Sequence, residues 1–529
     1  MSPSLLPWYG AARFPSPRLV GLLPVVLNKM RNSAGWAASV VLVAACAASC
    51  SDAASSAPPS TGGAGAQEPA ARAGATSAAG TSGTAGDAGA AEFGGAGSGG
   101  SVEGGDAGMG SQAAAGAPEA GAPSDTVIGD QSRDILSTTL RVNLITKRAT
   151  ANITLAASIS TGASFEIGDL AIASVESKGV PLRFVAGPAQ LDIEVPASTE
   201  PLVLDIDYAW RNHEHLDGAS ALGFSFSWPY FCGNVFPCHS NPSDGTEFHL
   251  SVVGVPGLQT AVYAKDIAND APSYMAAWAV GNYSELPLGK TTDGTSVSVW
   301  YEPGGQADAV AGTAHLVPAF DWLEQHIGAY RFGSHVGSVP LPWFGGGMEH
   351  HPFWHVASEK MADEVTQVHE AAHGWFGNGV RLRCWEDLVL SEGTATYLAA
   401  RALEATAGSV TSDAVWLAYR GELDGLTTQG TSEVAWPQSC GVVDVLKSGL
   451  YSNNPYIKGA FFYRGVEQKV GRQQLDAALH TFYQRFAGKA AGMQDMLDTI
   501  AEVTGYDAQQ CAAAWLVTAT PVPQPAACP

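Results

Sequence analysis

The chain has 529 residues, with 50 acidic against 27 basic side chains and a formal net charge of -23. That balance argues against nucleic acid as a partner, because phosphate binding needs a positive surface. The length allows two to four ordinary domains, but the composition is so uneven that the folded part is shorter than the chain.

Residues 1–50 read as a targeting segment. Arg31 follows Met30, and Ala34 to Ala48 form an apolar run of small residues. Val43–Ala44–Ala45–Cys46 resembles a bacterial lipobox, in which the signal is cut before a cysteine that then carries acyl chains. Ala47–Ala48–Ser49–Cys50 is a poorer second candidate, and residues 1–29 would precede the start of the signal. The apolar run is short of the ~20 residues that a spanning helix needs. The expectation is an exported protein, lipid-anchored through Cys46 to a bacterial membrane (outer membrane or cell surface), with its folded part in the periplasm or outside.

Residues 51–124 are Gly, Ala and Ser with scattered Pro and acids, and cannot bury enough apolar surface to offset ordering entropy. A flexible linker of roughly 75 residues holds its ends about 50 Å apart on average. From 125 to 262 the pattern becomes strand-like: Thr139–Ile145, Leu191–Val195 and Leu202–Tyr208 alternate, with Gly and Pro between them. This predicts an all-β domain. From 263 to 521 a strand at Val297–Tyr301 precedes a helix over Ala311–Ile327. Further helices are predicted over 358–377, 391–406, 455–469, 472–486 and 492–503, with a short last one near Ala508–Trp515. Residues 522–529 form a Pro-rich tail.

Cys46 and Cys50 aside, six cysteines remain, an even number that suggests disulfides in an exported protein. Cys232 with Cys238 and Cys511 with Cys528 are the simplest local pairs, which leaves Cys384 with Cys440. No CxxC spacing occurs to hold a metal.

The chemistry concentrates at His369–Glu370–Ala371–Ala372–His373. His369 and His373 stand at i and i+4 on one helical face and can share one cation, while Glu370 beside them can hold a water. A catalytic zinc takes three protein ligands and leaves one position open. Glu392 follows His373 after 18 intervening residues that include a turn and a loop, so a second, antiparallel helix can set it opposite the histidine pair.

HExxH with Glu at this spacing resembles the gluzincin aminopeptidases of the aminopeptidase N and leukotriene hydrolase group, and the likeness runs through residues around 135–520. Gly346–Gly347–Met348–Glu349–His350 resembles that family's GxMEN motif, which implies substrate binding by this segment and capture of the substrate's free α-amino group by Glu349. Tyr451–Gly459 resembles the segment that carries the family's catalytic tyrosine, which implies an oxyanion-stabilising role for Tyr456 and makes Tyr451 a neighbour. Phe236–Pro237–Cys238, Ser273–Gly281, Trp375–Asn378 and Trp385–Asp387 also match. The resemblance implies a multidomain α+β protein: an all-β, saddle-like N-terminal domain followed by a thermolysin-like, mostly α catalytic domain with one zinc held by His369, His373 and Glu392.

The implied activity is removal of N-terminal residues from peptides, with Glu370 as general base. Four departures stand out. His350 replaces Asn, Ser391 replaces the usual Asn before the third ligand, and Ala399 stands where a supporting Glu is common. The residues after Trp515–Pro521 hold no counterpart of the family's C-terminal helical domain, so a more open cleft is expected. Other readings are an endopeptidase, favoured by the open cleft and His350, and an epoxide-opening activity hinted at by Tyr451. A non-catalytic surface-binding lipoprotein with structural zinc is the third, though it would need none of Glu370, Glu349 and Tyr456.

Overall fold

The computed structural model describes Val127, residues 129–519 except 344, 442 and 449, and Cys528. The targeting segment with Cys46, the linker of 51–124 and nearly all of the 522–529 tail lie outside the described residues. Among the described residues no helix is long and apolar enough to cross a membrane.

The first folded part is a β-domain built on a seven-stranded sheet. Its order across the sheet is Asp266–Ala271, Thr246–Val253, Ile135–Asn143, Arg148–Leu155, Leu202–Ala209, Ala171–Ser177 and Val180–Pro181. Ile135–Asn143 pairs parallel with Thr246–Val253 and the other neighbours run antiparallel. The period-2 pattern is the cause. In Arg148–Leu155 and Thr246–Val253 every second side chain is buried, so one face of each strand feeds the core. A three-stranded sheet of Ala163–Glu166, Gln190–Ile193 and Phe184–Ala186 adds further core residues, Phe165, Leu191 and Ile193 among them. The sheet runs past residue 262, where the sequence changes character, because Asp266–Ala271 still adds to its edge.

The second part opens with a five-stranded mixed sheet in the order Ser284–Lys290, Ser296–Tyr301, His335–Leu341, Phe353–Ala357 and Gly347–Met348. Nine α-helices are described: α1 (Gln306–Gly312), α2 (Leu316–His326), α3 (Glu364–Ala372), α4 (Leu388–Ala407), α5 (Ser409–Thr428), α6 (Asn453–Val470), α7 (Arg472–Phe486), α8 (Met493–Thr504) and α9 (Gln509–Ala512). The helix expected over 311–327 begins later, at Leu316, after the separate helix α1 ends at Gly312. Pro318 has no N–H to continue a ladder begun upstream, so the chain breaks at Thr313–His315 and restarts with the proline in its first turn. The helix expected over 358–377 is shorter at both ends. Asp363 caps it by accepting from Val365 N at 3.1 Å, and the chain leaves helical geometry after His373. α5 was not anticipated, although Ser412, Val415, Trp416, Tyr419 and Leu423 form its buried stripe at helical spacing.

All three disulfides join the expected cysteines: Cys232–Cys238, Cys384–Cys440 and Cys511–Cys528. Arg381 ties the two parts together. Its guanidinium donates to Ser243 O at 3.3 Å and to Asp270 O on the β-domain side, and to Gly488 O at 3.2 Å on the other.

α4 is the centre of the helical part, and its residues from Leu388 to Leu403 are all buried. It crosses α6 at two glycines. A Cβ on Gly393 would lie 2.7 Å from Gly459 Cα, and one on Gly459 would lie 2.5 Å from Gly393 Cα. Alanine is the better helix former by about 1 kcal/mol, but a backbone collision at these separations outweighs that gain, since overpacking costs about 1–3 kcal/mol or more. Gly393→Ala is therefore expected to lower the thermal midpoint. Gly421→Ala on α5, where a Cβ meets nothing within 4 Å, is expected to raise it. A Gly393→Ala protein as stable as the parent would refute a tight crossing.

Candidate metal and active site

Two helices and one cap bring the histidine pair and Glu392 together. His369 lies in the last turn of α3, His373 caps its end, and Glu392 lies in the first turns of α4. His369 Nε2 and His373 Nε2 are 3.1 Å apart, and each is 3.3 Å from Glu392 Oε2. A tetrahedral zinc with bonds of about 2.0–2.1 Å holds its ligand atoms about 3.3 Å apart. The triangle fits that ion, and Glu392 Oε2 is buried with no hydrogen-bond partner of its own.

The far side of each imidazole is also fixed. His373 Nδ1 donates to Phe376 O at 3.0 Å and lies 3.2 Å from Ser391 Oγ. His369 Nδ1 faces Thr396 Oγ1 at 3.4 Å, and that hydroxyl donates to Glu392 O at 2.7 Å, which leaves it an acceptor for the imidazole. With a cation bound, both rings would keep their proton on Nδ1 and present the Nε2 lone pair to the centre. Ser391 and Thr396 take up the support that Ala399 cannot give.

Glu370 and Glu349 complete a cluster. Carboxylate oxygens of both and a ring nitrogen of His373 lie within 4.8 Å of one another. Burial, opposed by His373 and reinforced by neighbouring carboxylates, holds the Glu370 carboxyl well above the usual range, and Glu349 is pushed up by burial and Glu392. For Glu392 burial acts upward, but the charge of His373 and the close approach of both imidazoles outweigh it and hold the carboxyl low. Burial would lower His373, yet Glu392, Glu349 and Glu370 hold it protonated. Three carboxyls thus crowd one buried site, where a divalent cation would stabilise their charged forms and release protons held by the cluster.

The walls set these carboxylates in place. Gly347 passes so near Glu370 that a Cβ there would lie 2.5 Å from Oε1. Asn378 Nδ2 donates to Glu349 O at 2.7 Å, while its Oδ1 accepts from Tyr274 OH at 2.8 Å. His351 Nε2 donates to Glu370 O at 2.8 Å and its Nδ1 accepts from Tyr330 OH at 2.9 Å. Tyr456 stacks on His369, with ring centroids 5.7 Å apart and planes 20° from parallel. Burial, reinforced by Glu392, keeps its phenol well above the ordinary pKa, so it stays a donor.

A cavity of about 410 Å³ gathers most of the residues expected from sequence: Gly346, Gly347, Glu349, His369, Glu370, His373, Glu392 and Tyr456. Tyr451 lines it as well, with its ring against Trp228 at 4.6 Å. Met348 is a correction. Alternation along the edge strand turns its side chain into the core, opposite to Gly347, so it does not line the cavity. His350 also points inward, 2.8 Å from His355 Nδ1 and edge-on to Phe226, and is not a lining residue. Sequence reasoning missed Thr396, Tyr419 and Glu422, which all line the cavity, and the positioning roles of Asn378 and His351.

Comparison with known proteins agrees with this geometry. Residues 353–515 match the Peptidase family M1 domain. The chain is 26% identical over 290 residues to leucine aminopeptidase 2-1 of Meyerozyma guilliermondii, covering 50% of this chain and 46% of the relative. It is 27% identical over 300 residues to leucine aminopeptidase 2 of Aspergillus niger, covering 52% and 48% respectively. It thus spans about half the length of these curated relatives. The crystal structure of an M1 zinc metallopeptidase from Deinococcus radiodurans superposes with a TM-score of 0.64 at 19% identity, covering 75% of this chain and 96% of that one. The fold is shared with that two-domain M1 structure, and the donor set suits one zinc ion. Over this domain the chain resembles the gluzincin aminopeptidases, and the single zinc ion of that family is the cofactor that the triangle fits.

The hydroxyl behind His369 is testable. Replacing a group that orients a metal-bound histidine commonly costs 10–100-fold in affinity, so Thr396→Val should weaken zinc binding by about tenfold in chelator competition, with Thr396→Ser restoring it. Unchanged affinity in the valine variant would remove Thr396 from the metal's support.

Proposed function

We propose that the chain is a zinc-dependent aminopeptidase that removes N-terminal residues from peptides. The observation that carries the reading is Glu349. A buried carboxylate shares the cavity with the donor triangle and Glu370, where it can receive the one ammonium that marks a chain end. When bound, zinc supplies a Lewis acid that acidifies water and polarises a carbonyl.

The chain's own residues do the rest. Glu370, whose Oε2 has no protein partner, takes a proton from the attacking water and passes it to the leaving amine. Tyr456 donates its hydroxyl to the substrate oxygen as negative charge develops, an effect worth about 3–4 kcal/mol for one donor. Asn378 and Tyr274 fix the main chain of Glu349 and hence the distance from amine to scissile bond.

Glu370→Gln is expected to abolish hydrolysis of aminoacyl fluorogenic substrates while zinc stays bound. N-acetylation of a peptide is expected to stop its cleavage by the wild type. Equal cleavage of free and acetylated peptides would make the protein an endopeptidase instead.

We also propose export and lipid anchoring through Cys46. The support is the Val43–Cys46 motif together with three disulfides among the described residues. Palmitate labelling in a bacterial host should tag the wild type and miss Cys46→Ala, and equal labelling of both would place the anchor elsewhere.

A further inference from the structure

Four carboxylates line the active-site cavity, from Glu349, Glu370, Glu392 and Glu422, and no lysine or arginine is among its described lining residues. A zinc ion offsets two negative charges and the substrate ammonium a third. Glu349, Glu370 and Glu392 have their tasks in that scheme, but Glu422 has none.

Glu422 stands at the other end of the cavity from Glu349. It projects from α5 one turn after Tyr419, and both line the cavity with Val365 and Thr366 from the first turn of α3. Glu349 instead clusters with His373 at the far end of that helix. Thr366 precedes His373 by seven residues, about 10 Å at ~1.5 Å per residue. An extended peptide advances about 3.3 Å per residue. A peptide held by its ammonium at Glu349, with its first carbonyl over the imidazole pair, therefore carries its second side chain towards Thr366, Tyr419 and Glu422.

Among the described residues no cation forms an ion pair with Glu422. Asn453 Nδ2 reaches its Oε2 at 3.4 Å, and the ammonium of Lys360 lies 3.8 Å from Asp363. Partial desolvation pushes the Glu422 carboxyl up, opposed by Lys360 and reinforced by Asp363, and a cation arriving at this end would favour its charged form.

We propose that Glu422 makes the cavity selective for peptides whose second residue is lysine or arginine. This inference rests on the aminopeptidase reading and adds a substrate class to it. Because Glu422 is exposed, the pair it forms is screened, and the preference is one of degree.

The test compares Leu-Lys-Ala, Leu-Leu-Ala and Leu-Glu-Ala as substrates of the zinc-loaded wild type, Glu422→Gln and Glu422→Lys. In the wild type kcat/KM should favour Leu-Lys-Ala over Leu-Glu-Ala by roughly three- to tenfold, mainly through KM, and added salt should shrink the ratio. Glu422→Gln should bring the ratio towards one, and Glu422→Lys should invert it. A wild type without preference, or a ratio unchanged in Glu422→Gln, overturns the assignment of Glu422 while leaving the aminopeptidase reading intact. Cleavage of N-acetyl-Leu-Lys-Ala as fast as the free peptide overturns that reading and the inference with it.

Discussion

The contact between α4 and α6 is the constraint on which the site depends. Glu392 immediately precedes Gly393, and Tyr456 stands three residues before Gly459, nearly one helical turn. The near-contact of the two glycine backbones therefore sets how far the third metal ligand lies from the tyrosine over His369. Side-chain bonds lock the crossing along its length. Thr394 Oγ1 donates to Tyr463 OH at 2.8 Å, and Tyr397 OH donates to Glu467 Oε2 at 2.8 Å. Arg401, buried near the end of α4, grips Asp476 of α7 with two bonds of 3.0 Å. A helix so deeply enclosed holds its carboxylate with little freedom to rotate away.

Electrostatics forms the second layer. Burying Glu349, Glu370 and Glu392 together is unfavourable in a medium of low dielectric unless a positive charge joins them. His373 supplies it while protonated, and a divalent ion supplies it better. The same crowding holds the Glu370 carboxyl high before a metal binds. Structure and chemistry here share one cause.

Legibility in the sequence followed the range of the interactions. His369, Glu370, His373 and Glu392 were readable because helical spacing alone puts three of them on or beside one face. The helix over 472–486 was likewise readable, since Gly471 and the apolar period mark it locally. The break before α2 depended on a single proline inside a convincing pattern. α5 carries a clean stripe yet follows directly on Gly408, where α4 ends, and two helices separated by one glycine are easily read as one helix and a loop. The inward turn of His350, the grip of Asn378 on Glu349 and the hydroxyl of Thr396 behind His369 all depend on long-range placement. No local periodicity encodes them. Met348 was assigned to the site because its motif neighbours belong there, and strand alternation turned it away.

Tyr274 belongs to the segment that leaves the β-domain, yet its hydroxyl, through Asn378, holds the main chain of the carboxylate that would meet the substrate's amine. Trp228, from the β-domain itself, backs Tyr451 at the rim. The chain's two domains are separate as folding patterns but not as functional modules. One support of Glu349 thus has its far end in the segment that leaves the part that contributes no metal ligand.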